Sequence, residues 1–208
     1  MGLTACGFVD YKNAPAGRFD GSLLVMWVGE ERFVFVPSPN RPLTFTRKGR
    51  DVTVRTIKPE MMYTDGGSIP RPARLFKGFS PWGYAPAYMV HDWLFVARQC
   101  LNDNSATPAE KAIAPMPFQE SAEVIAEAIK TLIATGKVQP NDIAPQAISG
   151  AVAGPIARSR WTVKGACSES RVSPEHRAEA EAAIAIRAGR RIDLRGVTPA
   201  EIVAEIAF

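Results

Sequence analysis

The pattern of apolar residues changes near Pro70, and this change limits the folds open to the chain more than any other feature. Before it, four segments are rich in β-branched and aromatic residues and are separated by turn-forming residues: SLLVMWV, ERFVFV, PLTFTR and DVTVRTI. After it, apolar residues recur at helical spacing, as in APAYMVHDWLFVARQ and PFQESAEVIAEAIKTLIATG. The sequence therefore predicts an α+β fold, in which an N-terminal antiparallel β-meander of four strands packs with a helical layer.

The end of the chain predicts an appendage to this core. We expect a core domain over residues 1–161, with strands to about residue 65 and helices after it, and a polar linker over residues 162–172. Ser173-Pro174 and the capping box Thr198–Glu201 are typical helix starts, so residues 173–208 are predicted to form a C-terminal helical extension. Its first helix is rich in alanine, and we expect it to pack against the core, a copy of the chain or a partner.

Cysteine spacing and charge exclude several classes of protein. Cys6, Cys100 and Cys167 are odd in number and far apart, which favours reduced structural thiols over a disulfide framework or a cysteine-based zinc site. The net charge is +4, but the basic residues are dispersed and are not interleaved with aromatic ones. Nucleic-acid binding is therefore not expected. The sequence shows no pattern of an export signal and no transmembrane segment.

One candidate site is the glycine turn in TDGGSIPR. A structural interpretation is an Asx-type turn at Asp65 followed by a short helix capped by Ser68. A functional interpretation is that the turn places a carboxylate beside exposed backbone groups, which suits a cation or an oxyanion. Arg71 and Arg74 follow the turn, either as a clamp for phosphate or carboxylate or as solvated side chains.

The second candidate site is the adjacent pair His91 and Asp92, inside a predicted helix of apolar and aromatic residues. Ionisable groups in such a helix are costly unless they are satisfied, so the pair is either a functional site or a satisfied structural network. Neighbouring residues on a helix point about 100° apart, which predicts different roles for the two side chains, one as a base and the other as a ligand or an orienting group. His176 lies downstream in another predicted helix, and this order does not fit a metal-dependent phosphohydrolase. Ser68 does not fit the nucleophile elbow of a serine hydrolase.

Two resemblances rest on these motifs. TDGGSIPR followed by PWGYAPAYMVHDWLF resembles, over residues 20–161, an uncharacterised family of phage and prophage proteins with the signature TDGASIPR and HDxL[YF]. The predicted helix that carries His91 and Asp92 is also similar to the corresponding helix of calcium-dependent secreted-type phospholipases. This second resemblance implies that His91 is the base and Asp92 a calcium ligand, with Asp65 to Gly67 completing the metal site and Glu123 orienting the histidine. Calcium is favoured over zinc.

Glu123 does not fit the role that the resemblance gives it. On a helical wheel it lies beside Glu120 and Glu127 and opposite the apolar stripe, which predicts a solvated face. Asp65 is therefore the better candidate to orient His91.

The leading hypothesis is a phage-encoded hydrolase, synthesised in the host cytoplasm, that acts on a lipid or cell-envelope substrate. Its catalytic residues would be His91, Asp92 and Asp65, its substrate-binding residues Ser68, Arg71 and Arg74, and its metal ligands Asp92, Asp65 and Gly67. The alternative is a virion or assembly protein in which the His-Asp pair is structural. Residues 173–208 would then bind phage structural proteins or a second copy of the chain.

Overall fold

The computed structural model describes residues 9–30, 32–64, 84–139 and 152–208. The described strands and helices confirm the predicted α+β class. The strands are β1 (Arg18–Asp20), β2 (Ser22–Val28), β3 (Arg32–Pro37), β4 (Thr44–Thr46), β5 (Thr56–Ile57), β6 (Met62–Thr64) and β7 (Glu201–Ala207). The helices are α1 (Ala85–Asn102), α2 (Pro108–Lys111), α3 (Phe118–Ala134), α4 (Pro155–Thr162), α5 (Cys167–Ser170) and α6 (Pro174–Arg187).

The four predicted strands exist, but they do not form one meander. They divide between two antiparallel sheets, with strand orders β6-β3-β2-β7 and β1-β4-β5. β2 and β3 form a hairpin, in which Leu24 lies opposite Val36. The second edge of β3 pairs with β6 and the second edge of β2 pairs with β7. Neither edge is therefore free for β4, which pairs with β1 and β5 instead.

The prediction of a helix that begins at the capping box Thr198–Glu201 is wrong, because this segment leads into β7. The sequence EIVAEIA alternates along β7, with Ile202, Ala204 and Ile206 partly buried and the residues between them exposed. This period of two fits a strand. Ser22 pairs with Ala207 at one end of the ladder, and β7 thereby occupies an edge of the larger sheet that would otherwise expose unpaired backbone groups.

The larger sheet is covered on both faces. On one face Leu23, Val25 and Phe35 pack in the cluster that includes α1 and α3. On the other face the residues of β2 and β3 pack against Ala180 and Ala183 of α6. The alanine-rich helix therefore packs against the core, one of the three arrangements left open by the sequence. No helix in the described ranges is both long enough and apolar enough to cross a membrane.

The predicted solvated face of α3 is largely buried, which corrects the helical-wheel interpretation. The guanidinium of Arg47, 1% exposed, donates to Glu120 and to both carboxylate oxygens of Glu127 at 2.7 and 2.8 Å. The backbone N–H and the hydroxyl of Thr53 donate to Glu120 as well. The loop between β4 and β5 therefore covers the acidic side of α3. Glu123 is half-exposed at 3.9 Å from Arg47, and burial raises the pKa of its carboxyl.

The prediction of reduced thiols is wrong for two of the three cysteines. Cys100 near the end of α1 and Cys167 at the start of α5 form a disulfide across 67 residues of sequence. The carboxylate of Asp103 accepts the backbone N–H groups of Gly165 at 2.6 Å and of Cys167 at 2.9 Å, which draws the two segments together. The segment predicted as a linker thus contains α5 and this crosslink. Cys6 lies outside the described residues.

Candidate functional site

One face of α1 carries the polar residues of the candidate site. Tyr88, His91, Asp92 and Phe95 occupy positions i, i+3, i+4 and i+7, so their side chains share this face. The far side of the helix carries apolar residues such as Val90 and Ala97 that belong to the main core, in which Tyr88 is also packed. Burial of that face fixes the rotation of the helix. His91 is consequently held at 3% exposure, whereas the side chain of Asp92 is 34% exposed.

His91 and Asp92 bond directly to each other. The distance between His91 Nδ1 and Asp92 Oδ1 is 2.8 Å. Because an ionised carboxylate only accepts hydrogen bonds, Nδ1 carries the proton, and in the neutral ring Nε2 is then an acceptor. Within the described part of the chain, this buried Nε2 has no hydrogen-bond partner. The pair therefore has the chemistry of an oriented base whose second nitrogen is buried and has no partner among the described residues.

Aromatic packing holds the imidazole in place. The ring centroids of His91 and Phe95 are 5.1 Å apart, and Phe95 packs edge-on against Trp161 of α4 at 5.2 Å. Trp161 also contacts Phe118 and lies under the guanidinium of Arg98. The tryptophan is thus a packing residue that connects α1, α3 and α4. These contacts restrict the His91 ring to one orientation beside Asp92.

A cleft of about 830 Å³ lies along this face of α1. His91, Asp92 and Phe95 line it from the helix, and residues of β3, β6, α4 and α5 form its other walls. Ile156, which is 74% exposed, is among the residues of the α4 wall. The His-Asp pair accordingly belongs to the wall of a space large enough for a small organic ligand.

The glycine-turn residues lie outside the described part of the chain. This applies to Asp65, Gly67, Ser68, Arg71 and Arg74, so their predicted roles stay predictions. Thr64, which directly precedes Asp65 in the sequence, lines the cleft.

Glu123, the other residue considered for orienting His91, is placed beside Arg47. The partner that the structure gives to the imidazole is Asp92. The sequence predicted different roles for His91 and Asp92 and left open whether the second residue would be a ligand or an orienting group; in the structure the Asp92 carboxylate contacts the imidazole.

A metal site is not assembled by the described residues, among which no group of three or more His, Cys, Asp or Glu side chains is placed to hold an ion. Of the predicted calcium ligands, Asp92 alone is described, and its Oδ1 is engaged by His91. Calcium binding through Asp92, Asp65 and Gly67 stays a prediction.

His176, the other histidine, has a structural role. Its Nδ1 lies 2.7 Å from the hydroxyl of Tyr63, and that hydroxyl also accepts the backbone N–H of Ser173 at 3.0 Å. Ser173 caps α6 by accepting the N–H of His176. This small network attaches the start of α6 to β6.

Several charged residues of the cleft were not singled out from the sequence. Arg32 at the start of β3, Arg160 of α4 and Glu169 of α5 all line it. They come from elements far apart in the chain, so no local motif connects them. For Arg32 the sequence offers one signal, a basic residue at the start of a predicted strand. Such residues are too common for this signal to identify a binding site.

Tyr88 is a second buried polar group on this face. Its hydroxyl has no hydrogen-bond partner in the described ranges, and the side chain is 4% exposed. Burial, with a smaller contribution from the negative charge of Asp92, raises the pKa of this phenol above its ordinary value. Tyr88 is therefore a protonated donor across the physiological pH range.

We expect Tyr88→Phe to leave the melting temperature unchanged or to raise it slightly. A buried donor without an acceptor costs about 1–3 kcal/mol, and the substitution removes that donor while it keeps the ring. Thermal unfolding followed by circular dichroism measures the effect, with Tyr84→Phe as the matched control one turn earlier. A clear loss of stability specific to Tyr88→Phe would show that its hydroxyl has a structural partner.

Comparison with protein-family models, with curated proteins and with solved structures finds no match for this chain. The resemblance to phage and prophage proteins therefore stays a prediction, as does the similarity to phospholipases.

Proposed function

We propose that the protein is a hydrolase in which His91 acts as the general base. The observation that carries the proposal is the buried imidazole whose Nδ1 is bonded to Asp92 while its Nε2 has no partner among the described residues. In this role, Nε2 takes a proton from water as the water attacks the substrate. The Nδ1–H bond to the Asp92 carboxylate then stabilises the imidazolium that forms.

A lipid or cell-envelope substrate fits the character of the cleft. Apolar side chains from three elements line it, including Phe33, Met62 and Val96. Such a lining suits the hydrocarbon part of a substrate, and the His-Asp pair in the wall would face an ester or amide group bound there. The phage origin and the substrate-binding roles of Ser68, Arg71 and Arg74 are part of the same proposal. A divalent ion held by Asp92, Asp65 and Gly67 would polarise the scissile carbonyl.

The experiment is ester hydrolysis by the full chain, measured with p-nitrophenyl esters of increasing chain length and with phospholipid vesicles. We expect His91→Gln to lower kcat/KM by about 10²–10⁴, the usual contribution of a general base. Asp92→Asn should lower it too and shift its pH profile, because the amide does not stabilise the imidazolium as the carboxylate does. Asp20→Asn is the matched control, because Asp20 pairs with Arg18 on the surface and is not among the residues that line the cleft, and this variant should keep the wild-type kcat/KM.

Two outcomes would overturn the proposal. One is a His91→Gln variant as active as the wild type. The other is a wild-type protein inactive on every substrate, together with a His91→Gln variant that melts well below it. This second outcome would favour the alternative, a virion or assembly protein with a structural His-Asp pair. A groove of about 560 Å³ along α6, lined by Ala178, Ala182 and Ala185 among others, supports that alternative through residues 173–208.

A further inference from the structure

We infer that the cleft selects a substrate with an anionic group next to an apolar chain, and that Arg32 and Arg160 recognise the anion. This inference deepens the proposed function, since it names the chemical class of ligand for the same cleft. It also assigns specificity to two arginines that the sequence motifs did not include.

The two arginines reach the cleft from different elements and remain available for a ligand. Arg32 and Arg160 are exposed residues that line the cleft. Neither forms an ion pair with any residue of the described ranges. The guanidinium of Arg32 stacks over the Tyr63 ring at 3.6 Å, and Tyr63 is itself held by His176 and Ser173. The guanidinium of Arg32 is thus stacked on an aromatic ring that is itself held in place.

Arginine is suited to this role by its chemistry. Its planar fork of N–H donors binds carboxylate and phosphate oxygens in pairs, and it loses less hydration than lysine when it does so. The stacked position of Arg32 reduces the freedom that binding would otherwise remove. A carboxylate, phosphate or phosphonate is therefore the group that these side chains would bind best.

The apolar residues that line the cleft determine the second part of the ligand, its hydrocarbon chain. Phe33, Met62, Phe95 and Val96 form apolar parts of the wall, and Ile156 is exposed on the α4 side. An inorganic anion would contact the arginines and leave this surface in water. An alkyl or acyl chain would cover this surface and remove it from water, which favours binding. The two kinds of surface together therefore favour an amphiphile over a free anion.

The carboxylates in the cleft provide a test of the charge that the ligand carries. Asp92 is engaged with His91, whereas Glu169 forms no ion pair within the described residues. Glu169 should repel an anionic ligand, because it shares the cleft with the two arginines. Its neutralisation is therefore expected to act in the opposite direction to neutralisation of Arg32 or Arg160.

The test is isothermal titration calorimetry with non-hydrolysable probes on the full chain. The probes are octylphosphonate, 1-octanol, octyltrimethylammonium and inorganic phosphate, each below its aggregation concentration. We expect octylphosphonate to bind at least tenfold more tightly than octanol, and we expect no measurable binding of octyltrimethylammonium or inorganic phosphate. Equal binding of the three octyl probes, or preference for the cation, would overturn the inference. Tight binding of inorganic phosphate alone would show an anion site without the apolar half and would also overturn it.

Substitutions test whether Arg32 and Arg160 bind the anionic group. Arg32→Gln and Arg160→Gln should each weaken octylphosphonate binding about tenfold and leave octanol binding unchanged, because each removes one charge-assisted contact. Glu169→Gln should strengthen octylphosphonate binding. Arg158→Gln is the matched control on α4, since Arg158 stacks on Phe118 and is not among the residues that line the cleft. Unchanged affinity in both arginine variants would overturn the assignment.

Failure of this inference is distinguishable from failure of the proposed reaction. The binding measurements need no turnover, so they can succeed when no ester is hydrolysed, and the general-base role would then fail alone. If His91→Gln abolishes hydrolysis while the arginine variants bind octylphosphonate as the wild type does, the recognition of an anion fails alone.

Discussion

Arg47→Met is expected to lower the free energy of unfolding by about 3–5 kcal/mol, the usual cost of removing one partner from a buried ion pair. The guanidinium of Arg47 is fully buried between Glu120 and Glu127, whose side chains are 9% and 4% exposed. Without it, two carboxylates would remain in a site with little water and would repel each other. Urea denaturation followed by tryptophan fluorescence measures the change. A lower urea concentration at the midpoint, with the same dependence of the unfolding free energy on urea, reports the loss of stability.

Two further variants define the cause of this loss. Arg18→Met is the matched control, because Arg18 pairs with Asp20 on the surface at 3.0 Å with a side chain 67% exposed. Its effect should stay within about 1 kcal/mol. In the Arg47→Met background, Glu120→Gln with Glu127→Gln should restore part of the stability, since it removes the uncompensated charges. A full-size loss in Arg18→Met, or no loss in Arg47→Met, would contradict the role of the buried network.

Loss of the Cys100–Cys167 disulfide is expected to lower the free energy of unfolding by about 4 kcal/mol in the chain-entropy model. The crosslink joins residues 67 positions apart and so removes many conformations from the unfolded chain. The measurement compares urea denaturation of the wild type with that of the double variant Cys100→Ser, Cys167→Ser. Wild type treated with a reductant should match the variant, and Ser105→Ala, which removes a hydroxyl that donates to Cys167, should change little.

Free thiols at both Cys100 and Cys167 in the purified protein would show that the disulfide bond does not form. Alkylation followed by mass spectrometry of the unfolded chain counts them. Equal midpoints for the oxidised wild type and the double variant would show that the bond forms without stabilising the fold.

The sequence predicted those parts of the fold that depend on local patterns. Strands β2 and β3 and helices α1, α3 and α6 follow from apolar periodicity and helix starts within each segment. The pairing of these elements depends on partners elsewhere in the chain. The capping box at Thr198 was misleading because pairing with β2 prevailed over a local helix signal. Glu120 was assigned to solvent because a helical wheel does not show the second layer contributed by Arg47.

The candidate site was predicted to a similar extent. His91 and Asp92 were recognised as an unusual pair in an apolar helix, and the structure places both in the wall of a cleft. The sequence left open whether the two side chains contact each other, because the angle between neighbouring helical positions describes Cβ directions and not the reach of the side chains. Arg32 and Arg160 could not be connected to this pair, since the connection exists only after β3 and α4 have been brought together.

The pairing of β2 with β7 has a consequence for how the protein is made. Ser22 leaves the ribosome well before its partner Ala207, which lies far downstream in the sequence. The ladder that completes the larger sheet therefore joins residues that are far apart in the sequence, a topology that slows folding. Until that late step, the nascent chain presents an unpaired and strongly apolar β2 edge, the kind of surface that chaperones bind and that favours aggregation. Truncated products from premature termination would carry this exposed edge permanently.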